Sequence, residues 1–525
     1  MALVTASLVA TGAPAFATTY YLSPSGNNSA SGLTEAAPWK TFAKAFGAMK
    51  ASDELVLLDG TYSVAAGTGG YNYDTSNYPN SGQAPSGASK TAMTVVRAKN
   101  EGNVLITVPL YIGRSSGRQQ FIKLQGISWR SGDLTGLVRN ASYIYIKNSG
   151  FYTTANADAL GLGLGISDDS WPSTDHLLVE DTWIAGQSRG IAVNFGGRYN
   201  VWRRVIVRGD GCNSSGCTGS GNPNIGITVY ASANTSMQNV MVVDRVLGGG
   251  TSYADFAQAQ HGNFAGGLHG QNEWLGVMSL HSEDAGFTMD PDTTELTPGS
   301  TFRNVVAWDV GGWCMALYKS GQVDLQHVTC GVRSNPTAGL YLASGLASGG
   351  VLANALVQHS SGSGGIGVTS SVYTPSYVDL AGTWSPSYSD KSCSSGCKTS
   401  TPTSDGATAS QKYITRIESG SALSGTGLNG EDYGANIVTR YGNDGAFYGD
   451  AGYNSLTSTA LWPWPNDARI KKELCSDVSI TRGFCANSSF TNYVWSYLGN
   501  PTPTQFGGGP GSTAPAAPSN IRIIR

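Results

Sequence analysis

The sequence has few charged residues and no long apolar run, and these two absences exclude two classes of protein. Asp, Glu, Lys and Arg make up 13% of the 525 residues, and 35 acidic against 32 basic residues leave a net charge of −3. Nucleic-acid binding depends on an excess of basic side chains, so there is no electrostatic case for such a partner. No segment offers the 18 or more strongly apolar residues that a membrane span requires.

Helical periodicity and metal-binding cysteine patterns are also missing. Between residues 121 and 370 no helical period persists over ten or more residues. The eight cysteines have no neighbouring Cys/His cluster, which argues against a zinc site and favours disulfides formed in an oxidising compartment. The predicted pairs are Cys212 with Cys217, Cys393 with Cys397, Cys475 with Cys485, and Cys314 with Cys330.

A short apolar phrase recurs through the middle of the chain. In each copy an apolar residue is followed by two variable residues, an apolar or small residue, one variable residue and a further apolar or small residue. Successive copies begin 22 to 37 residues apart, and the shortest steps cluster at 22 and 23. The nine copies are 124–129, 146–151, 179–184, 202–207, 237–242, 274–279, 302–307, 325–330 and 352–357. A repeat of this length, unable to bury its apolar face alone, indicates a solenoid of stacked coils.

A second phrase, glycine followed by alternating apolar residues, falls between most copies of the first. It begins at Gly190, Gly226, Gly286, Gly312, Gly339 and Gly365. Short period-two runs separated by Gly, Asn, Asp and Ser predict strands and tight turns, about three strands per coil. We therefore expect an all-β chain folded as a right-handed parallel β-helix. A β-propeller, with its longer repeats, and a sandwich are the alternatives that the spacing disfavours.

The two ends of the chain differ from the repeats. Residues 1–17 resemble a signal peptide, which predicts export to the extracellular space or periplasm, and residues 18–370 form the β-helix. Trp39, Phe42, Phe46 and Met49 follow a helical spacing and predict a helix that caps the first coil. Residues 371–412 are an irregular Ser- and Thr-rich region, 413–505 a mixed C-terminal cap with two helices, and 506–525 a linker tail.

The opening of the chain carries a family resemblance. Residues 20–26 read Tyr-Tyr-Leu-Ser-Pro-Ser-Gly, 38–41 read Pro-Trp-Lys-Thr, and 60–62 read Gly-Thr-Tyr. These motifs resemble those of secreted right-handed β-helix proteins related to the polysaccharide lyases, especially the pectate-lyase-like ones, over about residues 18–370. The resemblance implies the fold, export and a polysaccharide substrate, but it is only weak evidence for a particular reaction.

One stretch departs from the catalytic pattern of that family. Calcium-dependent pectate lyases of similar type have a lysine base in an Asp-Gly-Phe-x-x-Lys-like stretch. Here the comparable residues 284–290 read Asp-Ala-Gly-Phe-Thr-Met-Asp, with Asp290 where the lysine would stand. This departure leaves open a shifted active site or a hydrolase.

In a stack of coils, equivalent positions on successive coils lie about 4.8 Å apart. Residues that align between repeats are therefore expected to be neighbours in space. In three consecutive copies of the first phrase, the residue seven positions after the start is Asp244, His281 or Asp309. In the next copy, Arg333 lies eight positions after the start. His359 occupies the equivalent position two coils after Asp309. The sequence thus predicts a column of ionisable side chains on neighbouring coils.

A second column follows the glycine phrase and adds polar and acidic residues. It contains Tyr230, His269, Gln271 and Asp290, and the densest acidic stretch, which includes Glu283, Asp284 and Asp292, lies beside it. Lys319 follows one coil later. The candidate catalytic residues are His269, His281, Asp284, Asp290, Asp309 and Lys319, and the candidate substrate-binding residues are Tyr230, Gln271, Trp313 and Arg333.

Two reactions on a glycan suit these residues. Hydrolysis needs a carboxylic acid and a carboxylate, such as Asp290 with Asp284 or Asp309. β-Elimination on a uronic acid needs a base, such as His269, His281 or Lys319, and a cation that stabilises the developing charge. Calcium is a candidate for that cation, with Asp244, Glu283 and Asp292 as its ligands.

Each of these residues also has an ordinary structural explanation, since Asp and Asn cap backbone groups at solenoid turns. The sequence therefore supports two functions. The first is an exported enzyme that cleaves a polysaccharide by elimination or hydrolysis. The second is a non-catalytic β-helix protein that binds glycans or assembles on a surface.

Overall fold

The chain folds into a stack of coils in which each turn contributes strands to the same three faces. The computed structural model describes residues 17–113, 117–132, 134–153, 159–162, 174–186, 190–209, 225–245, 254–260, 270–291, 299–333, 337–359, 364–399, 411–475 and 483–506. Within these ranges, parallel pairing joins 19 strands into one bent sheet and 11 strands into a second sheet. This arrangement confirms the predicted parallel β-helix.

The bent sheet has two arms. The strands of arm 1 are Thr19–Leu22, Glu54–Leu57, Thr94–Ala98, Gln119–Gln125, Ala141–Lys147, Ser236–Gln238 and Glu273–Leu275. Those of arm 2 are Gly60–Tyr62, Val104–Ile106, Ser128–Ser131, Gly150–Thr153, Met241–Arg245 and Met278–Ser282. Longer strands bend through both arms at Leu178–Ala185, Val201–Arg208, Thr301–Val310, Asp324–Val332, Val351–His359 and Ser376–Ala381.

The second sheet closes the third side of the coil, and we call it the back sheet. Its strands are Leu110–Ile112, Gly136–Val138, Leu160–Leu162, Gly190–Phe195, Ile225–Tyr230, Ala254–Gln260, Ala285–Pro291, Trp313–Ser320, Ala338–Leu346, Ile366–Ser370 and Tyr388–Asp390. Apart from the coils, Thr439–Tyr441 pairs antiparallel with Leu456–Ala460.

The first repeated phrase marks one inward position of arm 1. Its nine starting residues align one on another through consecutive parallel pairings, from Leu124 with Ile146 to Leu325 with Leu352. All nine side chains are buried. The phrase therefore records the stacking of the core, as the spacing predicts.

The glycine phrase aligns less well. Gly226, Gly286 and Gly339 occupy equivalent positions of the back sheet, whereas Gly312 lies two residues earlier, because Met315 rather than Trp313 pairs with Phe287. In the coil between Gly226 and Gly286 the strand is Ala254–Gln260, which the sequence analysis misses. The equivalent position there is Asp255, whose buried carboxylate bonds to Arg245 and Ser279, so the glycine signal is absent.

The bend between the two arms needs one residue per coil in a left-handed backbone conformation. Ten successive coils place a residue with φ between 47° and 75° at this point. The ten are Gly126, Asn148, Asp181, Arg204, Asn239, Gly276, Asn304, His327, Asn354 and Tyr377. Glycine and asparagine adopt this conformation at the least cost, which explains why they recur at the bend.

A short helix, Phe42–Ala48, lies at the N-terminal end of the stack. Thr41 caps it by accepting a hydrogen bond from the Lys44 amide, and Phe42 packs edge-on against Tyr62 of the first coil. Phe46 packs in the same way against Tyr71. The helix therefore buries its apolar face against Tyr62 and Tyr71.

The C-terminal segment, residues 411–506, runs back along the flank of the stack. Backbone amides of Leu428, Asn436 and Tyr441 donate to the side chains of Asn354, Asn304 and Asn239, which lie on successively earlier coils. Asn466 then reaches the side chain of Asn148. The sequence predicts a cap on the last coil; the structure instead lays this segment antiparallel along the bend, because the bend asparagines supply partners for its backbone.

A second apolar core lies beneath this segment. It combines outward side chains of arm 2 with aromatic residues of the helices Asp467–Leu474 and Phe490–Trp495. Its members include Trp183, Met241, Met278, Trp308, Tyr413, Trp462, Trp464, Phe484, Phe490, Tyr493, Trp495 and Phe506. Arm 2 is consequently buried on both faces where this segment covers it, for example along Leu178–Ala185 and Val201–Arg208. Three turns complete the segment, at Leu428–Gly430, Gly483–Ala486 and Thr504–Phe506.

A buried ionic network ties the segment to arm 1. Arg203 donates to Glu180 at 2.8 Å and also to the carbonyls of Asn443, Ala446 and Tyr453. Glu180 and Arg203 are fully buried. Charges at this depth stabilise the fold only while every partner is present, so the network makes the segment part of the folded unit.

Three of the predicted cysteine pairs form disulfides in the structure, and the fourth lies outside the described residues. Cys314 is joined to Cys330, Cys393 to Cys397, and Cys475 to Cys485. Cys212 and Cys217 are not among the residues described. None of the helices in the described part of the chain is long and apolar enough to cross a membrane.

Replacing Phe287 by alanine should destabilise the coil stack strongly. Phe287 is 2% exposed and lies 4.8 Å, centroid to centroid, from Phe256, with Trp274 and Phe302 around it. The cavity should cost roughly 3–5 kcal/mol in the free energy of unfolding, measured by urea denaturation. Leu456→Ala, at a side chain that is 55% exposed, should change it by less than about 0.5 kcal/mol. Equal effects would contradict this packing.

Glu180 should make stability depend on pH in the acid range. Burial alone would raise its pKa, but the charges of Arg204, Lys147 and Arg203 outweigh burial and lower the pKa from 4.5 to about 2. A depressed pKa means that the stabilisation is complete above about pH 4.5 and disappears as the pH falls towards 2. Glu180→Gln should be less stable at neutral pH, and the difference from the wild type should shrink on acidification. Denaturation curves that differ by a constant amount would contradict this.

Candidate functional site

The predicted ionisable column exists, at the corner where arm 2 turns towards the back sheet. Asp244, His281 and Asp309 follow the aligned residues Val243, Leu280 and Trp308 on three successive coils. All three have positive φ, at 54°, 64° and 58°. The chain turns sharply here, so the three side chains leave the stack in the same direction.

Hydrogen bonds connect this column from coil to coil. Nδ1 of His281 lies 2.8 Å from Oδ1 of Asp244, and Nε of Arg333 lies 2.8 Å from Oδ1 of Asp309. Glu283 is more loosely associated, with Oε2 3.9 Å from Nη1 of Arg333. The structure thus brings together five of the residues singled out in the sequence.

The C-terminal segment supplies further partners that the sequence analysis misses. The Tyr493 hydroxyl donates to Oδ1 of Asp244 and the Tyr497 hydroxyl to Oδ2 of Asp309, each at 2.5 Å. The Phe484 amide donates to Oδ2 of Asp244 at 2.6 Å. Each of these residues follows its own partner in the column by 188 or more positions, and only the four-residue spacing of the two tyrosines hints at a shared role.

The exposures within the column differ in a way that suits catalysis. The Asp244 side chain is 1% exposed, whereas that of His281 is 32% exposed. An ionised carboxylate only accepts hydrogen bonds, so Nδ1 of His281 must carry a proton and the lone pair of neutral imidazole resides on Nε2. A buried carboxylate therefore orients an accessible imidazole.

The charges in the column shift one another's pKa values. Burial would lower the pKa of His281, but its hydrogen bond to Asp244 and the charges of Asp244 and Asp309 raise it above 6.5. Burial would raise the pKa of Asp244 and of Asp309. The hydrogen bond and charge of His281 hold the pKa of Asp244 below its ordinary value, and the charges of Arg333 and His281 do the same for Asp309. Both carboxylates are therefore ionised at neutral pH.

Asp284 lies in the same turn and behaves differently from its neighbours. It is half-buried, and its backbone carbonyl accepts a hydrogen bond from Gly312 on the next coil. Burial raises its pKa above the ordinary value. Trp313 begins the next strand and packs on the apolar cluster of Ile225, Ala254, Ala257 and Ala285.

The remaining sequence candidates lie elsewhere on the coil. Asp290 stands at the far end of the strand that follows Asp284, six residues and about 20 Å away. Tyr230, which stacks on Phe195, and the exposed Lys319 lie towards that end as well. Gln271 occupies a different bend, ahead of arm 1, with φ 54°. His269 and Asp292 lie outside the described residues.

The position of Asp290 does not suit either carboxylate pair suggested for hydrolysis, Asp290 with Asp284 or Asp290 with Asp309. Glycoside hydrolases hold their two carboxyl groups about 5–9.5 Å apart. Asp290 is too far from Asp284 for that, and Asp309 lies at the same corner as Asp284. An extended strand separates Asp284 from Asp290, and its length does not enter an alignment of repeat positions.

The donor set at the column does not fit the expected calcium ion. Both oxygens of Asp244 already accept hydrogen bonds within a buried site, from His281, Tyr493 and the Phe484 amide. Glu283 is 38% exposed and faces the cation Arg333. Among the described residues no group of three or more His, Cys, Asp or Glu side chains could hold a metal ion.

No protein-family model matches the chain, and no curated protein does. Among solved structures, a rhamnogalacturonan lyase is 13% identical over 64% of this chain and 84% of its own, with a TM-score of 0.36. XylC in complex with xylose is 8% identical, covering 72% and 86%, with a TM-score of 0.39. Pectate lyase Pel9A is 14% identical, covering 79% and 95%, with a TM-score of 0.36.

Removing the Asp244 charge should lower the pKa of His281. Histidine-labelled protein followed by NMR should show the wild-type His281 titrating above pH 6.5, and Asp244→Asn should lower that pKa because the hydrogen bond and the charge of Asp244 are lost. With a raised pKa, the His281 contribution to stability is complete below pH 6.5 and is lost as the pH rises through that pKa. His327, bonded to Glu431 at the other bend, is an internal control for an intact fold, and its chemical shifts at a fixed pH should be the same in the variant and the wild type.

Proposed function

We propose that the protein is an exported enzyme that cleaves a uronate-containing polysaccharide by β-elimination, with His281 as the general base. The observation that carries the proposal is the accessible imidazole of His281, held through Nδ1 by the buried carboxylate of Asp244. Such a pair leaves Nε2 free to take a proton from a bound substrate.

The reaction would use the column as follows. Nε2 of His281 removes the proton next to the uronate carboxyl group, and the electron pair forms a carbon–carbon double bond as the glycosidic C–O bond breaks. The imidazolium, stabilised by Asp244, then returns the proton to the leaving oxygen. Arg333, on the coil after Asp309, places positive charge at the corner where the substrate gains negative charge.

Elimination is better supported than hydrolysis by the charge states at the corner. Hydrolysis needs one carboxyl group that is protonated, beside a second that is ionised. The two carboxylates bound to this column, Asp244 and Asp309, both have lowered pKa values, and each of their oxygens already accepts a hydrogen bond. Asp284 in the same turn has a raised pKa, but within the described contacts its side chain has no hydrogen bond to the column, whereas His281 and Asp244 are directly joined. Export is supported by the three disulfides, which form in oxidising compartments.

A row of rings on another bend favours the second candidate function, glycan binding without catalysis. Phe121, Tyr143, His176 and Tyr199 stack on successive coils, with ring centroids 5.2, 4.7 and 5.1 Å apart. Tyr199 is 36% exposed. The stacked rings cover one another's faces, however, and present mainly edges to a sugar, so this row supports binding less directly than the column supports catalysis.

The decisive variant is His281→Asn, because asparagine tolerates the positive φ at this position. The purified protein would be incubated with a panel of uronate-containing and neutral polysaccharides, and the products would be weighed by mass spectrometry. Unsaturated oligosaccharides, lighter by one water than hydrolysis products, are expected from uronate substrates. The variant should lower kcat roughly 10²- to 10⁴-fold while keeping the circular dichroism of the wild type.

His327→Asn is the matched control, since His327 also has positive φ, at 58°, and also bonds to a carboxylate. Its activity should equal that of the wild type. Full turnover by His281→Asn would refute the role of His281, and saturated products would establish hydrolysis instead. If no polysaccharide yields products, the binding function replaces the enzymatic one.

A further inference from the structure

A groove of about 680 Å³ lies on the outer face of arm 1, over the first five coils. Its floor is a row of residues aligned through consecutive strand pairings, one from each coil. The row consists of Thr19, Glu54, Val95, Lys123 and Tyr145. Five coils extend about 19 Å along the axis, so the groove is elongated in the direction of stacking.

Two parts of the chain form the walls of the groove. One wall is the loop that includes Lys90 and Met93, and the other is the C-terminal segment at Gly445 and Phe447. An ion pair between Lys90 and Asp450, 2.5 Å apart, connects the two walls. The groove therefore exists only because the C-terminal segment returns along the stack.

Lys123 differs from the other cations around this floor. Arg97 is paired with Glu54 at 2.7 Å, and Lys147 with Glu180 at 2.9 Å. Lys123 makes no hydrogen bond or ion pair with any residue the structure describes, and its ammonium group lies 5.2 Å from the centre of the Tyr145 ring. It is a half-buried cation without a direct ion-pair partner among the described residues, and the carboxylates of Glu180 and Glu101 act on it only from a greater distance and do not outweigh burial.

The surroundings of Lys123 are unfavourable to its charge. Burial, followed by the charge of Lys147, lowers its pKa below the ordinary value of 10.5. An anion bound in the groove would remove this penalty, because an opposite charge favours the ionised form. The site thus has a position where a negative group would be stabilised.

We propose that the groove binds a carboxylate-bearing sugar chain, with the Lys123 ammonium group paired to a sugar carboxylate. The choice of an acidic glycan among anions rests on the proposed function. Hydroxyl-bearing and apolar side chains, including Ser52, Thr91 and Met93, line the same groove and suit the mixed surface of a sugar.

This binding site is distinct from the candidate catalytic column. Lys123 lies on the outer face of arm 1, and His281 lies five coils further along the stack, about 24 Å by coil spacing, at a different corner. The groove therefore anchors a polymer at a distance from the bond that is cleaved. Its occupation should raise affinity for long chains without changing the chemical step.

Calorimetric titration tests the groove directly, with trigalacturonate as the acidic probe and galactotriose as its uncharged counterpart. The titrations use the His281→Asn protein, so that cleavage does not interfere, and are repeated with the wild type. Lys123→Met should weaken trigalacturonate binding about tenfold or more, because a charge-assisted contact is lost. Lys123→Arg keeps the charge and should retain most of the affinity.

Lys412→Met is the matched control, since the Lys412 ammonium group also lies over a tyrosine ring, 5.7 Å from the centre of Tyr413, but outside the groove. It should bind trigalacturonate as tightly as the parent protein. Equal affinity of Lys123→Met and parent, absence of trigalacturonate binding, or equally tight binding of galactotriose would each overturn the proposal. Binding without any cleavage by the wild type would refute the proposed reaction and leave the groove standing.

Discussion

Parallel stacking imposes one constraint on every part of this molecule: each side chain lies beside its counterparts in the coils before and after it. Inward positions must therefore be apolar in coil after coil, and outward positions must tolerate a neighbour at about 4.8 Å. Charged residues satisfy this by alternating in sign. Glu180 lies beside Arg203, and the column at the arm 2 corner alternates from Asp244 through His281 and Asp309 to Arg333.

The same constraint explains how the C-terminal segment recognises the stack. The bend between the arms repeats a left-handed residue, and asparagine meets that requirement while projecting an amide outward. Four such side chains, Asn354, Asn304, Asn239 and Asn148, lie in a row along the axis. The C-terminal segment donates a hydrogen bond to each of them. The asparagines that the bend favours for conformational reasons therefore also form the surface on which the C-terminal segment docks.

Much of the fold could be predicted because stacking leaves a periodic record in the sequence. The nine starts of the first phrase identify the inward row of arm 1, and the interval counted from them locates Asp244, His281 and Asp309. The glycine phrase was a weaker guide, because glycine reflects local crowding rather than register. At Gly286 an added side chain would meet Ala307 and the Cys314 carbonyl, whereas the equivalent Asp255 is accommodated by Arg245 and Ser279.

The parts that could not be predicted depend on contacts without a period. Repeat positions alone do not give the length of the strand between Asp284 and Asp290. These two carboxyl groups lie at opposite ends of one strand and cannot act as a pair. The path of residues 411–506 was also missed, because it is specified by single hydrogen bonds to separate coils. Those contacts supply Tyr493, Tyr497 and the Phe484 amide to the column, and they form one wall of the Lys123 groove.

The return of the C-terminal segment also determines when the molecule becomes complete during synthesis. The coils can form in order as the chain emerges, since each needs only its predecessor. Asp244, however, lacks two of its partners until residues 484 and 493 have been made, and Glu180 and Arg203 wait for residues 443 to 453. A chain that contains only the coil stack therefore has its core but lacks these partners, and the candidate site is completed only by residues 443–493.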